Sequence, residues 1–242
     1  MYETQVLDAY RRLQNHEGDA FCLISHASYL FKTGGALWAV DPAHPVYRVP
    51  TLEGLSFVLV THEHPDHYQS EVLARLAASG TRILAPGFLP GIEAVPGVTT
   101  VVPGDDILLF GHRVRALPGQ HYDEGTDIGV EEVSYWVDAP GLSVALPGDV
   151  RDYSRPFPLR GPDWLMAHVW LGRGNALNLP CEPWRSDAAR YFRDIAARHT
   201  LLAHLNDETR ALMDRWTEEH ACLLTPYIPN SLVLPAFTVY SL

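Results

Sequence analysis

Lysine is almost missing from this chain: Lys32 is the only one in 242 residues. Lys and Arg together number 18 against 29 Asp and Glu, a formal charge of −11 at pH 7, and basic residues nowhere form a run. Binding along a phosphate backbone draws on clustered cations, so nucleic acid is not an expected partner. Cysteine is scarce as well. Cys22, Cys181 and Cys222 are odd in number, far apart and set among apolar neighbours, which fits reduced, buried thiols better than disulfides or a zinc knot. No stretch approaches the roughly 18 apolar residues of a membrane span. Residues 1–14 carry Asp8, Arg11 and Arg12 where a leader would have its apolar core. These absences lead to the expectation of a cytoplasmic protein with no integral membrane segment. A solenoid repeat is also missing.

What remains is a globular composition, 47% hydrophobic and 10% aromatic, enough for a sizeable core and expected to form a single domain over residues 1–242. One stretch stands out. In Thr61-His62-Glu63-His64-Pro65-Asp66-His67, four potential metal ligands fall within six residues. Phe57 to Val60 ahead of it reads as a buried strand, and residues 69–79 behind it carry helical spacing. His62 and His64 share one side of an extended segment, whereas Asp66 and His67, past Pro65, aim elsewhere. Two directions suggest two ions. Imidazole and carboxylate suit zinc and similar divalent ions, and a site with three histidines leaves a position open for water, which means chemistry more than scaffolding. A run of solvated polar residues is the bland alternative, and with 12 His in the chain chance rarely assembles this spacing.

Thr61 to His67 resembles the HxHxDH signature of the metallo-β-lactamase-fold superfamily of metal-dependent hydrolases. The softer pattern around it, His26-Ala27-Ser28, a hairpin, then an apolar strand ending in Asp41-Pro42, is similar to the ascorbate-phosphate-lactonase-like and phospholipase-D-like branch. The resemblance implies an α/β fold, a four-layer αββα sandwich. It further implies His121, at the end of a strand, as third ligand of the first ion, and Asp149, in Pro147-Gly148-Asp149 after another strand, as a bridging carboxylate. His204 follows a strand over 200–203 and is implied as the last ligand, with His199 as competitor on the preceding helix. His62, His64 and His121 would then hold one ion, Asp66, His67 and His204 the second, with Asp149 between them. Zinc is the expected metal, manganese or iron the alternatives, because a histidine stands at position 64 where the di-iron oxygen-reducing branch has a carboxylate.

The implied activity is hydrolysis, by a metal-bound hydroxide, of a small metabolite ester, lactone or phosphoester, with Asp66 in a secondary role orienting the nucleophile. Fold alone does not choose the substrate. A phospholipid-type phosphodiesterase is the second reading and a non-catalytic metal-binding module the third. His26, Tyr122 and His168 are candidate substrate contacts; a turn residue, a solvated loop and a satisfied core histidine are their respective plain alternatives. Among the other expectations, His112 is a turn residue and helices span 4–14, 186–199 (capped by Ser186) and 207–222. The acidic segment 122–132 is a loop beside the site, an edge strand lies near 237–240, and exposed aromatics around Trp170 and Trp184 leave a homo-oligomer open.

Overall fold

The computed structural model describes residues 1–122 and 129–242; of the acidic segment beside the site, 123–128 lie outside the described residues. In its first half, helix α1 (Tyr2–Asn15) is followed by strands β1 (Ala20–Leu23), β2 (Tyr29–Thr33), β3 (Ala36–Val40) and β4 (Phe57–Leu59). Helix α2 (Ser70–Ala78) then leads to β5 (Arg82–Pro86) and β6 (Val98–Val101). The second half contributes β7 (Asp106–Leu109), β8 (His112–Pro118), β9 (Val133–Ala139), β10 (Leu142–Leu146), β11 (Trp164–His168), α3 (Trp184–Ile195), β12 (His199–Ala203), α4 (Glu218–Leu224), β13 (Ser231–Leu232) and β14 (Val239–Ser241).

Two seven-stranded sheets form, in the orders β14-β1-β2-β3-β4-β5-β6 and β13-β12-β11-β10-β9-β8-β7. Strand alternation builds the layers. In β1, Phe21 and Leu23 face the second sheet while Ala20 and Cys22 face helices α1 and α2. In β11, Trp164 and Met166 point between the sheets while Leu165 and Ala167 meet α3 and α4. Both faces of each sheet are thus covered, which is why the central strands read as unbroken apolar runs. The result is the expected αββα sandwich, with an apolar cluster between the sheets and one under each helical layer. No helix among the described residues is long and apolar enough to cross a membrane.

Several local expectations are corrected. The helix expected over 207–222 shrinks to α4 and a single 3₁₀ turn at Leu212–Asp214. Asp207 is the reason: its carboxylate accepts the Thr209 N–H and hydroxyl and the Arg210 Nε–H, so side chains take over local bonds that a helix would make. Helix α3 begins at Trp184 behind Pro183, and Ser186 lies inside it, bonded to Glu182. It stops at Ala196, whose φ is +59°, so His199 opens β12 instead of closing the helix. His112 is fully buried at the start of β8, its Nε2 2.7 Å from Thr33 Oγ1. Cys22 and Cys181 are buried but Cys222 is exposed. Trp170 is buried under the Arg151 guanidinium and packs against Trp184, so it offers no exposed aromatic surface for an oligomer.

Candidate metal centre

The strands β1, β3, β4 and β5 run one way in the first sheet, and β8, β10, β11 and β12 share a direction in the second. Their carboxyl ends gather the chemistry at one edge of the sandwich: His26 after β1, Asp41 after β3, residues 61–67 after β4, His121 after β8, Asp149 after β10, His168 at the end of β11 and His204 after β12. The edge is pinned across the sheets. Val133 N–H donates to Thr61 O at 3.0 Å, the Tyr135 hydroxyl to Val60 O at 2.8 Å, and His204 N–H to His26 O at 2.8 Å. His204 itself sits at φ +63° and Asp41 at φ +48°, a backbone conformation costly for residues other than glycine and concentrated at functional sites.

Two groups of donors result from three overlapping clusters among the described residues: one of His62, His64, His121 and Asp149, the other joining the cluster of His67, Asp149, His168 and His204 to that of His26, Asp66 and His204. His62, His64, His121 and Asp149 bring one ligand atom each within 4.8 Å of one another. His62 Nε2 lies 3.1 Å from His64 Nδ1, and His121 Nε2 lies 3.2 Å from that same atom. In the second group His67 Nε2 is 3.6 Å from Asp66 Oδ2 and 3.6 Å from Asp149 Oδ1. His204 Nε2 is 3.3 Å from Asp66 Oδ2 and 3.4 Å from Asp149 Oδ2. Donors around a tetrahedral zinc at 2.0–2.1 Å stand about 3.3 Å apart, so both groups have the spacing of ligands around a common ion. Asp149 Oδ2 also lies 3.9 Å from His121 Nε2, which puts this one oxygen between the groups. Among the described residues His67 Nε2 and His204 Nε2 are buried and make no well-aligned hydrogen bond, a costly state for a polar atom that an ion would relieve.

Neighbouring groups set which imidazole nitrogen is offered. Asp41 accepts the Thr61 N–H at 2.8 Å, the Thr61 hydroxyl at 2.7 Å and the His67 Nδ1–H at 2.9 Å, leaving His67 Nε2 for the centre. Because the Thr61 proton goes to Asp41, its oxygen accepts from His62 Nδ1 at 2.9 Å, and His62 also presents Nε2. Glu132 lies 3.2 Å from His62 Nδ1 and accepts the Asp149 N–H at 2.8 Å. Such outer contacts orient ligands and raise their basicity.

Burial drives down the basicity of His62, His64, His121 and His204, to about 3 for His121 and about 4 for His204. These four are therefore neutral, the form that ligates. Burial also works against a charge on His67, but with no ion present Asp66, Asp149 and Asp41 outweigh it and raise this imidazole to about 10; an ion at Nε2 would displace that proton. Burial likewise opposes ionisation of Asp66 and Asp149, and the surrounding histidines overcome it, so both carboxyls are held below their usual range. For Glu132 the rescue falls short: burial, then the Asp149 charge, outweigh the Asp149 N–H bond and the His67 charge and push its carboxyl well above the ordinary value.

All seven expected ligands therefore converge. The three expected substrate contacts separate. His26 Nε2 is 3.0 Å from Asp66 Oδ2 and 3.8 Å from Asp207 Oδ2, at the mouth of a cavity of about 980 Å³. His168 spends both ring nitrogens, Nδ1 on Asp149 Oδ1 and Nε2 on the Tyr29 hydroxyl, each at 2.7 Å, so it holds Asp149 and has no nitrogen left for a substrate. Tyr122 is partly exposed and lines a small surface cavity with Glu63 and Phe88. Sequence reasoning pointed to Trp170 and residues 173–175 as further substrate contacts, and Trp170 and Arg173 do line the neighbouring cavity; it missed Asp41 as the partner of His67, Glu132, Tyr29, Arg151 and Arg210. Glu132 gave no signal, since its neighbour Glu131 is exposed in the same acidic run.

The model of a family described as a beta-lactamase superfamily domain matches residues 21–174, which include every candidate ligand except His204. The chain belongs to that superfamily. A UPF0173 protein of Pyrococcus abyssi is 30% identical over 100 residues, 40% of this chain; the match spans less than half of that protein, 46%. Among solved structures, Igni18, a metallo hydrolase of Ignicoccus hospitalis, aligns with a TM-score of 0.65 at 15% identity, covering 92% of this chain and 97% of Igni18. CmlA, a diiron beta-hydroxylase of Streptomyces venezuelae, aligns at 0.62 with 20% identity, covering 94% of this superfamily member and 55% of CmlA. These likenesses are of fold, and the second pair of names shows that the fold hosts more than one reaction.

Proposed function

We propose that this beta-lactamase superfamily member, acting as one domain, is a metal-dependent hydrolase of a small ester, lactone or phosphoester. The observation that carries the reading is the pair of buried nitrogens without a well-aligned hydrogen bond among the described residues, His67 Nε2 and His204 Nε2, both facing the Asp66 and Asp149 carboxylates at ion-sharing distances. His62, His64 and His121 with Asp149 would hold one divalent ion, and Asp66, His67 and His204 with Asp149 a second. The nitrogen and oxygen donor set suits zinc, and manganese or iron as well. Ions there would supply Lewis acidity towards the scissile carbonyl or phosphoryl oxygen and lower the pKa of water towards neutrality.

The chain's own residues do the positioning. Asp41 and Glu132 aim His67 and His62; the Tyr29–His168 pair holds Asp149; and His26 holds Asp66, which orients the attacking water. Asp66→Ala and His67→Ala, assayed on a panel of nitrophenyl esters, lactones and phosphodiesters with the reconstituted protein, should abolish turnover while the far-UV circular dichroism stays native. Undiminished turnover in both variants would sink the assignment.

A second reading, a phosphodiesterase acting on a phospholipid-type substrate, is favoured by the cavity of about 980 Å³. Leu23, Ile24, Val233, Leu234 and Phe237 line it, and it reaches His26 and His204. Preferential cleavage of a short-chain phosphatidylcholine over the soluble esters would establish it. Full metal occupancy with no turnover on any of these would leave the non-catalytic binding module.

A further inference from the structure

Three of the chain's 18 basic side chains converge on a single cavity of about 350 Å³ lined by His64 and His121 of the first donor group together with Arg151, Arg173, Arg210 and Trp170. In a protein of net charge −11 with only 18 basic residues, this is a concentration of guanidinium groups beside the acids of the centre. Arg151 is only 7% exposed, its Nε has no hydrogen-bond partner, and its guanidinium carbon stands 4.7 Å from the centroid of the Trp170 ring. Its ion-pair partner, Asp149, stands 3.7 Å from Nη2 at Oδ2, beyond hydrogen-bond reach, and is already surrounded by histidines. Arg210 is fixed by Asp207 at 3.0 Å with its Nη2 3.8 Å from Asp66. Arg173 forms no ion pair among the described residues. Asp214, the one acid among the described residues that line the cavity, accepts the Gly174 N–H at 2.5 Å.

A buried guanidinium with donors unmet is expensive unless an anion meets them. The planar fork of arginine matches the oxygens of a phosphoryl or carboxylate group, and a guanidinium stacked on an indole is already oriented for it. We propose that this cavity binds an oxyanion group of the substrate, a phosphoryl or a carboxylate, with Arg151 and Arg173 as its partners and Arg210 at its flank. The assignment rests on the proposed reaction centre, since the cavity shares His64 and His121 with it. It narrows the substrate to an anionic ester, lactone or phosphoester, which a surface of this net charge would otherwise repel.

The test is calorimetric titration of the metal-loaded protein with inorganic phosphate and, separately, with acetate, with elemental analysis of the same samples. Arg151→Lys keeps the charge but loses the fork, and Arg173→Met changes an exposed side chain that cannot unfold the core. Each should weaken binding of the favoured anion about tenfold or more, the loss expected for a charge-assisted hydrogen bond; the anion that shows this dependence identifies the group. Equal affinity in wild type and both variants overturns the proposal. If that happens with two ions per chain, the reaction centre stands without the anion site. If the protein carries no ion yet phosphate or acetate binding depends on Arg151 and Arg173, the cavity stands and the reaction centre falls.

Discussion

Asp41 touches no expected substrate and belongs to neither donor group, yet the site depends on it. Its carboxylate accepts from Thr61 N, Thr61 Oγ1 and His67 Nδ1, all at 2.7–2.9 Å. Asp41→Ala would strand those donors in a buried setting, each worth about 1–3 kcal/mol, so a total loss of roughly 3–5 kcal/mol is expected, at the far end of the range for single substitutions. At this chain length that lowers the melting temperature by about 10 °C. Asp41→Asn is the more informative change. Asparagine tolerates the φ of +48° and can still accept the Thr61 N–H, but an amide nitrogen facing His67 cannot accept from Nδ1. His67 then carries its proton on Nε2, the atom meant for an ion. Loss of such an outer contact costs about 10–100-fold in metal affinity. Asp41 reaches the first group only through the Thr61 hydroxyl, and Glu132 also supports His62 there, so the second ion should weaken more than the first. Chelator competition with a chromophoric zinc indicator resolves the two affinities. Weakening of the first ion as large as that of the second in Asp41→Asn, or weakening of neither, would refute the reasoning.

Other consequences are simpler to check. Gly148, at φ +78°, lies so close to Glu132 that an added Cβ would fall 2.2 Å from Oε1. Gly148→Ala should therefore displace both Glu132 and Asp149, cost roughly 3 kcal/mol or more in thermal unfolding and lower metal occupancy; a normal melting curve would contradict this. Burial pushes the Cys22 thiol up to about 12 and raises that of Cys181, while Cys222 is exposed. Because the thiolate is the reactive form and a raised pKa keeps the thiol protonated, an aromatic disulfide reagent at pH 8 should titrate one thiol in the native protein and three after denaturation. Native titration of two or more would count against the buried positions.

Much of this candidate site was legible in the sequence because its candidate ligands come in a local string or at strand ends that the family resemblance picks out. His62, His64, Asp66 and His67 lie within six residues, and Gly148-Asp149 and His204 each close an apolar run. The αββα layers were legible for a related reason: strands buried on both faces read as unbroken apolar stretches. What could not be read were pairings across the fold. Asp41 and His67 are 26 positions apart, Glu132 and Asp149 are 17 apart, and Tyr29 meets His168 across 139; no local period encodes them. Nor does spacing reveal that Arg151, Arg173 and Arg210 face one cavity. The helix expected over 207–222 failed at a different point. Its apolar spacing was reasonable, but the Asp207 side chain bonded to Thr209 and Arg210 first, a competition that composition alone does not weigh.

Anomalous diffraction at the zinc edge from crystals of the zinc-loaded protein tests the central claim most directly. Two peaks are predicted, one bounded by His62, His64, His121 and Asp149 and the other by Asp66, His67, His204 and Asp149, with the Asp149 carboxylate in contact with both. A crystal without a peak at this edge of the sandwich, or with zinc bound only elsewhere on the chain, would contradict the account.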